Sequence, residues 1–174
     1  MTRLPAAAAL GLAAILAASP ALAQTTATAL VKAGDGKDAG SVTLTEAPHG
    51  VLLKLELKGL TPGWHAAHFH EKGDCGTPDF KSAGAHVHTA ATTVHGLLNP
   101  EANDSGDLPN IFAGADGSAT AEIYSTLVSL KGAGGRPALL DADGSSIVVH
   151  ANADDHKTQP IGGAGARVAC GVIK

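Results

Sequence analysis

Apolar and polar residues alternate strictly along two stretches of the chain. Residues 53–58 read Leu-Lys-Leu-Glu-Leu-Lys, and residues 119–123 read Ala-Thr-Ala-Glu-Ile. A period of two places successive side chains on opposite faces of a β-strand. Each stretch is therefore predicted to be a strand with one face in the core and the other in water.

Turn signals interrupt the chain at short intervals, and helical spacing is hard to find. Asp, Gly and neighbouring small residues form these signals at residues 35–36, 116–117, 132–135 and 141–144. Short strands separated by such turns are typical of an antiparallel all-β sandwich or barrel. Residues 71–109 show no alternation and are rich in His, Gly, Asp, Asn and Pro. A loop of that length is usually functional or disordered.

The first 23 residues have the pattern of a signal peptide. Arg3 precedes an apolar Ala/Leu run, and Pro20 with the sequence Ala-Leu-Ala at 21–23 forms a cleavage pattern before Gln24. The remaining residues 24–174, about 150 in number, are predicted to form a single domain. Export to the periplasm or the medium also predicts that Cys75 and Cys170 form a disulfide, because those compartments are oxidising.

Charge and hydropathy exclude several classes of partner. The formal net charge is −4, which gives no support to binding of nucleic acid or an anionic membrane surface. The apolar run of the leader is too short to span a bilayer comfortably, and no second long run follows, so no membrane association is expected. Whether the protein is a monomer or a homodimer stays open.

Histidine is concentrated in one part of the chain. Six histidines lie between residues 65 and 95, and His150 follows much later. Imidazole is a common neutral ligand for copper and zinc, so this concentration predicts a metal site. His68 and His70 lie two apart in a short segment that suits a strand, where both side chains would face one side.

Five separated segments resemble those of the copper,zinc superoxide dismutase family, in that family's order. They are residues 63–71, 82–86, 106–110, 148–155 and 162–172. The resemblance implies an eight-stranded Greek-key β sandwich or flattened barrel with long metal-binding and active-site loops. It also implies an antioxidant enzyme that dismutes superoxide to dioxygen and hydrogen peroxide, with a redox-cycling copper and a structural zinc as cofactors.

The resemblance also assigns the metal ligands. The implied copper ligands are His68, His70, His86 and His150. The implied zinc ligands include His86, His95 and Asp107. His86 would bridge the two metals and accept a proton during the reaction.

Three further roles follow from the same resemblance. Asp154 would orient histidines of both metals. Arg167 would stand beside the open copper position, where a guanidinium attracts a small anion. The Cys75–Cys170 bridge would tie the metal loop to the last strand.

The zinc site departs from the family's pattern. Asp104 stands where a histidine is expected, and it is predicted to ligate zinc through oxygen. His88 is the alternative residue to complete the site. His65 is expected to support the site by hydrogen bonding, and His49 is expected to be a solvated turn residue. His156 is expected to be an exposed loop residue, with a place at the entrance to the copper as the alternative.

The sequence also allows an alternative function without catalysis. An exported copper-binding or copper-buffering protein on the same scaffold, with little turnover, is favoured if the altered zinc site misplaces His86. Metal content measured together with superoxide removal separates the two functions.

Overall fold

The computed structural model describes residues 24–174, and the predicted leader, residues 1–23, lies outside the described residues. The strands are β1 Thr26–Ala33, β2 Asp38–Ala47, β3 Gly50–Leu57, β4 Gly63–His65, β5 Ala67–His70, β6 Ile111–Ala113, β7 Ala119–Ser125, β8 Ser146–His150 and β9 Arg167–Ile173. Two single-turn 3₁₀ helices cover Lys81–Ala83 and Ala133–Gly135. Within residues 24–174 no helix has the length and apolar character that a membrane crossing requires.

All named strand pairs are antiparallel. Seven strands form one curled sheet in the order β5-β8-β9-β1-β2-β3-β7, and β4 pairs with β6 in a second sheet. The last strand returns beside β1, while β1, β2 and β3 follow one another as neighbours, which is the order of a Greek key. The predicted all-β fold is confirmed.

Ala66 explains why the structure has nine strands where eight were expected. This residue separates β4 from β5. Its N–H donates to Asn152 O, and its carbonyl accepts from His150 N. The chain therefore leaves the small sheet at Ala66 and continues in the large one.

The two alternating stretches are strands, as predicted. From Val51 onward every second residue of β3 is buried, Leu53 and Leu55 among them, and the intervening residues are exposed. Leu53 pairs with Ile123 of β7, which is also buried. These inward-facing residues form the apolar core, to which residues of β5 and β8 also contribute.

The long segment after β5 contains only one 3₁₀ turn before β6 begins. Cys75 in this segment is bonded to Cys170 of β9, so the predicted disulfide is confirmed. Phe80 and Ala83 pack against Cys170 in a small separate core. A disulfide is consistent with an exported protein.

We expect removal of the disulfide to destabilise the fold because the bond closes a loop with a sequence separation of 95 residues. Replacing both Cys75 and Cys170 with serine should lower the free energy of unfolding by about 2–5 kcal/mol. Urea denaturation of metal-free protein measures this. Reductant should destabilise the parent protein similarly and leave the double variant unchanged. Equal stability of parent and variant would contradict the expectation.

Candidate metal centre

Two neighbouring strands and the long loop bring the predicted ligands together. His68 and His70 lie on β5, and β8, its antiparallel partner, ends at His150. The loop is held against β5 by backbone bridges between His70 and His86 and between His68 and Asp107. Residues far apart in the chain therefore meet at one place.

Four imidazoles at this place each use one ring nitrogen for a contact that sets the direction of the ring. His68 Nε2 lies 2.9 Å from Asp154 Oδ2, His70 Nδ1 3.0 Å from Gly84 O, His86 Nδ1 2.7 Å from Asp104 Oδ2, and His150 Nδ1 3.2 Å from Gly165 O. Such contacts fix the tautomer and orientation of a metal-binding histidine.

The other nitrogen of each ring is buried and has no hydrogen-bond partner. These atoms are His68 Nδ1, His70 Nε2, His86 Nε2 and His150 Nε2. Ligand atoms of the same four side chains lie within 4.8 Å of one another. Leaving one buried polar group unpaired costs about 1–3 kcal/mol. Four unpaired nitrogens in one place therefore indicate a binding site for a single metal ion that contacts all four. A set of imidazole nitrogens suits copper.

Burial keeps three of these four rings neutral, those of His68, His70 and His150. It lowers the pKa of His70 to about 2 and, together with the nearby His68, that of His150 to about 3. Neutral imidazole has a free lone pair, so these ligands need not lose a proton when a metal binds. Three of the four imidazoles that could hold copper are therefore uncharged donors.

A second group of donors lies on the other side of His86. Its closest atom pairs are His86 Nδ1 to Asp104 Oδ2 at 2.7 Å, His95 Nδ1 to Asp107 Oδ1 at 2.6 Å, His95 Nδ1 to Asp104 Oδ2 at 3.5 Å, and His86 Nδ1 to Asp107 Oδ1 at 3.7 Å. Tetrahedral zinc with bonds near 2.0–2.1 Å separates its donors by roughly 3.3 Å. The observed spacings bracket that value.

Two atoms of this group carry the fit to zinc. His95 Nδ1 and Asp107 Oδ1 are close, yet both are buried without hydrogen-bond geometry to any partner, as expected for atoms that face a common ion. The donors whose ligand atoms lie within 4.8 Å of one another are His68, His86, His95 and Asp107. Asp104 Oδ2 also approaches this group, at 2.7 Å from His86 Nδ1 and 3.5 Å from His95 Nδ1.

Carboxylates make this second side anionic. Burial by itself would lower the pKa of His95, but Asp104, Asp107 and Asp154 outweigh it and raise that pKa to about 11. Burial would likewise lower the pKa of His86, but Asp104 and Asp107 outweigh burial and raise it. The pocket thus favours positive charge, from protons or from a metal cation that displaces them.

Asp154 connects the two sides. Its Oδ2 accepts from His68 Nε2 at 2.9 Å and its Oδ1 from His95 Nε2 at 3.0 Å. The pKa of this carboxyl lies below its usual range: burial opposes the shift, and the contacts with His68 and His95 outweigh it. Gly162, at φ +59°, leaves room for the carboxylate, since a Cβ there would overlap Asp154 Oδ1.

Arg167 lines the cavity that opens onto the copper-side histidines. The cavity has a volume of about 290 Å³ and includes His70, His86 and His150 in its wall. Arg167 Nη1 donates to Phe80 O at 2.7 Å and Nη2 donates to Gly84 O at 2.6 Å. The guanidinium is thereby held in position in a cavity that three of the four histidines also line.

The remaining histidines have varied positions. His65 is buried, with ring nitrogens 2.7 Å from the carbonyl oxygens of His150 and Thr61, which matches a supporting role. His88 Nδ1 bonds to the carbonyl of His86 and not to the second donor group. His49 is exposed, as predicted. The prediction for His156 is wrong, because its side chain is only 18% exposed.

Sequence reasoning missed two acceptors that direct the copper-side rings. They are the backbone carbonyls of Gly84 and Gly165. Every residue carries a carbonyl, so no residue type marks these two positions. Only their place beside the histidines identifies them.

Comparisons with known sequences agree with this geometry. The family model described as copper/zinc superoxide dismutase matches residues 38–173. A protein named superoxide dismutase [Cu-Zn] from Caulobacter vibrioides is 93% identical over 174 residues, covering 100% of both chains. The similarly named protein of Brucella abortus is 36% identical over 173 residues, covering 92% of this chain and 94% of that one.

Solved structures show the same fold. The Cu/Zn superoxide dismutase from Brucella abortus has a TM-score of 0.69 and 32% identity, over 86% of this chain and 100% of that chain. A superoxide dismutase-like protein from Bacillus subtilis has a TM-score of 0.77 and 35% identity, over 83% of this chain and 96% of that chain.

Proposed function

Because the chain belongs to the copper/zinc superoxide dismutase family, we propose that it converts superoxide to dioxygen and hydrogen peroxide at the four-histidine group. One observation carries the proposal: four imidazoles, each with a buried nitrogen that lacks a partner, have ligand atoms within 4.8 Å of one another, and Arg167 lines the same cavity as three of them. In the balanced reaction two superoxide ions and two protons yield one dioxygen and one hydrogen peroxide.

The two donor groups would hold different metals. Copper would be held by His68, His70, His86 and His150, and zinc by His86, His95, Asp104 and Asp107. When bound, copper supplies the one-electron redox couple that dismutation needs. Asp104 in the zinc group is supported by its 2.7 Å approach to His86 Nδ1.

Two side chains act on the substrate in this proposal. Arg167 attracts the superoxide anion into the cavity, since guanidinium is always charged and its two bonds to backbone carbonyls hold it in place. His86 would carry a proton for the product at Nε2 when that nitrogen is not bound to copper, because Nε2 has no other partner while Nδ1 is engaged by Asp104.

The disulfide supports export as part of the proposal. The leader, residues 1–23, is removed before Gln24, and residues 24–174 act as one domain in the periplasm or the medium. There the protein would meet superoxide outside the cytoplasm.

We expect His150→Ala to abolish superoxide removal, because it deletes one of the four copper-side nitrogens. Copper content per chain should fall in the same variant, and circular dichroism should show an unchanged fold. His49→Ala, which alters an exposed histidine, is the matched control and should keep both properties. Full activity in His150→Ala would contradict the assignment.

The same measurements test the copper-buffering function. If the parent protein binds copper tightly in a stoichiometric amount and still shows no turnover with zinc present, the buffering function replaces the enzyme. Rapid superoxide removal by the parent protein excludes that alternative.

We expect Asp104→Ala to weaken zinc binding by about 10-fold or more, because a buried anionic donor is lost. Zinc per chain after dialysis against a chelator measures the effect. Glu101→Ala removes a nearby exposed carboxylate and should leave zinc unchanged, as should His88→Ala. Unchanged zinc in Asp104→Ala would remove this residue from the ligand set.

We expect the rate constant to fall as salt is added, because salt screens the attraction between the superoxide anion and the cationic site. Arg167→Ala should lower the low-salt rate constant at least about tenfold and make the salt dependence shallower. Pulse radiolysis at several ionic strengths measures both. Lys131→Ala, an exposed cation outside the cavity, should behave like the parent protein.

A further inference from the structure

His156 lies beside Asp154, the carboxylate that connects the two donor groups. Its side chain is only 18% exposed, and its backbone has φ +60°. The His156 N–H donates to Asp154 Oδ1 at 2.6 Å, and its carbonyl accepts from Leu98 N at 3.1 Å. Residue 156 therefore sits between Asp154 and the loop that carries His95.

Asn110 determines which nitrogen of His156 carries the proton. Its Oδ1 accepts from Asp154 N at 2.8 Å, and its Nδ2 donates to Asp154 O at 2.8 Å, so the orientation of the amide is settled. The same Nδ2 lies 3.2 Å from His156 Nε2. An amide nitrogen only donates, so Nε2 must accept and a neutral ring carries its proton on Nδ1.

The Nδ1 atom of His156 faces Asp154. It is buried, has no hydrogen-bond partner, and lies 3.5 Å from Asp154 Oδ2, which is longer than a hydrogen bond but close enough for electrostatic attraction. That oxygen already accepts from His68 Nε2. Asp154 is thus approached by three imidazoles, those of His68, His95 and His156.

We propose that His156 is a positioning residue for Asp154: its Nδ1–H dipole, whose direction Asn110 sets, attracts the carboxylate and helps to keep it where it contacts His68 and His95. This inference deepens the proposed function and rests on His68 and His95 being metal ligands. The mechanism assigned to copper and zinc does not otherwise use His156.

Two substitutions distinguish the effect of the side-chain N–H of residue 156 from the effect of its backbone conformation. The φ of +60° at residue 156 suits both glycine and asparagine. Asparagine places an amide nitrogen as many bonds from Cα as the Nδ1 of histidine, whereas glycine removes the side chain. His156→Asn therefore keeps a donor that His156→Gly lacks, without a difference in backbone strain.

We expect His156→Gly to bind copper and zinc about 10- to 100-fold more weakly than the parent protein, the usual effect of losing a partner behind metal ligands. His156→Asn should recover most of that loss. Competition with a chelator measures both affinities. The electron paramagnetic resonance spectrum of the copper-loaded protein should change in His156→Gly and match the parent in His156→Asn. Parent-like affinity and spectrum in His156→Gly would overturn the proposal, as would equal losses in both variants.

The tautomer of His156 can be tested on the unaltered, metal-free protein, so this test does not depend on whether a variant folds. Nitrogen-15 NMR should show His156 protonated on Nδ1 and unprotonated on Nε2; the opposite tautomer would overturn the proposal. Superoxide removal by the metal-loaded parent protein is scored separately. A parent protein without turnover refutes the proposed function. If the parent protein turns over normally and His156→Gly binds copper and zinc as the parent does, only the role of His156 is refuted.

Discussion

The convergence of four unpaired imidazole nitrogens in a buried space is the constraint on which the rest of the structure depends. Each unpaired nitrogen is costly to bury, and the cost is compensated only if a shared cation binds there. Neighbouring groups therefore contact one nitrogen of each ring and leave the other nitrogen without a hydrogen-bond partner. Strands β5 and β8 supply three of the rings, and the loop bonded to β9 through Cys75 supplies the fourth, His86.

Two side chains make the two donor groups depend on each other. His86 offers one nitrogen to each group, and Asp154 bonds to His68 on one side and His95 on the other. The groups differ in charge, because burial keeps His68, His70 and His150 neutral while carboxylates surround His95. Asp104, the proposed fourth zinc ligand, stands where the family's usual histidine would be neutral, so the proposed zinc group carries one more negative charge.

Much of the fold and of the site followed from local patterns. The alternation in residues 53–58 and 119–123 predicted β3 and β7, and the pair His68 and His70 predicted a strand that presents metal ligands. The disulfide was predicted from two cysteines in a chain with a predicted export leader. His156 was predicted to be solvated and is largely buried, because a loop residue's exposure depends on what packs over it.

By itself the sequence determined which donor atoms exist and in which order the chain presents them, since imidazole, carboxylate and thiol are properties of single residues. The tertiary structure alone decided which nitrogen of each ring is free, because that depends on partners such as the carbonyls of Gly84 and Gly165. It also decided that Asp104 approaches His86 and that His88 turns to a backbone carbonyl. Such choices depend on contacts between segments distant in the chain, which no local pattern records.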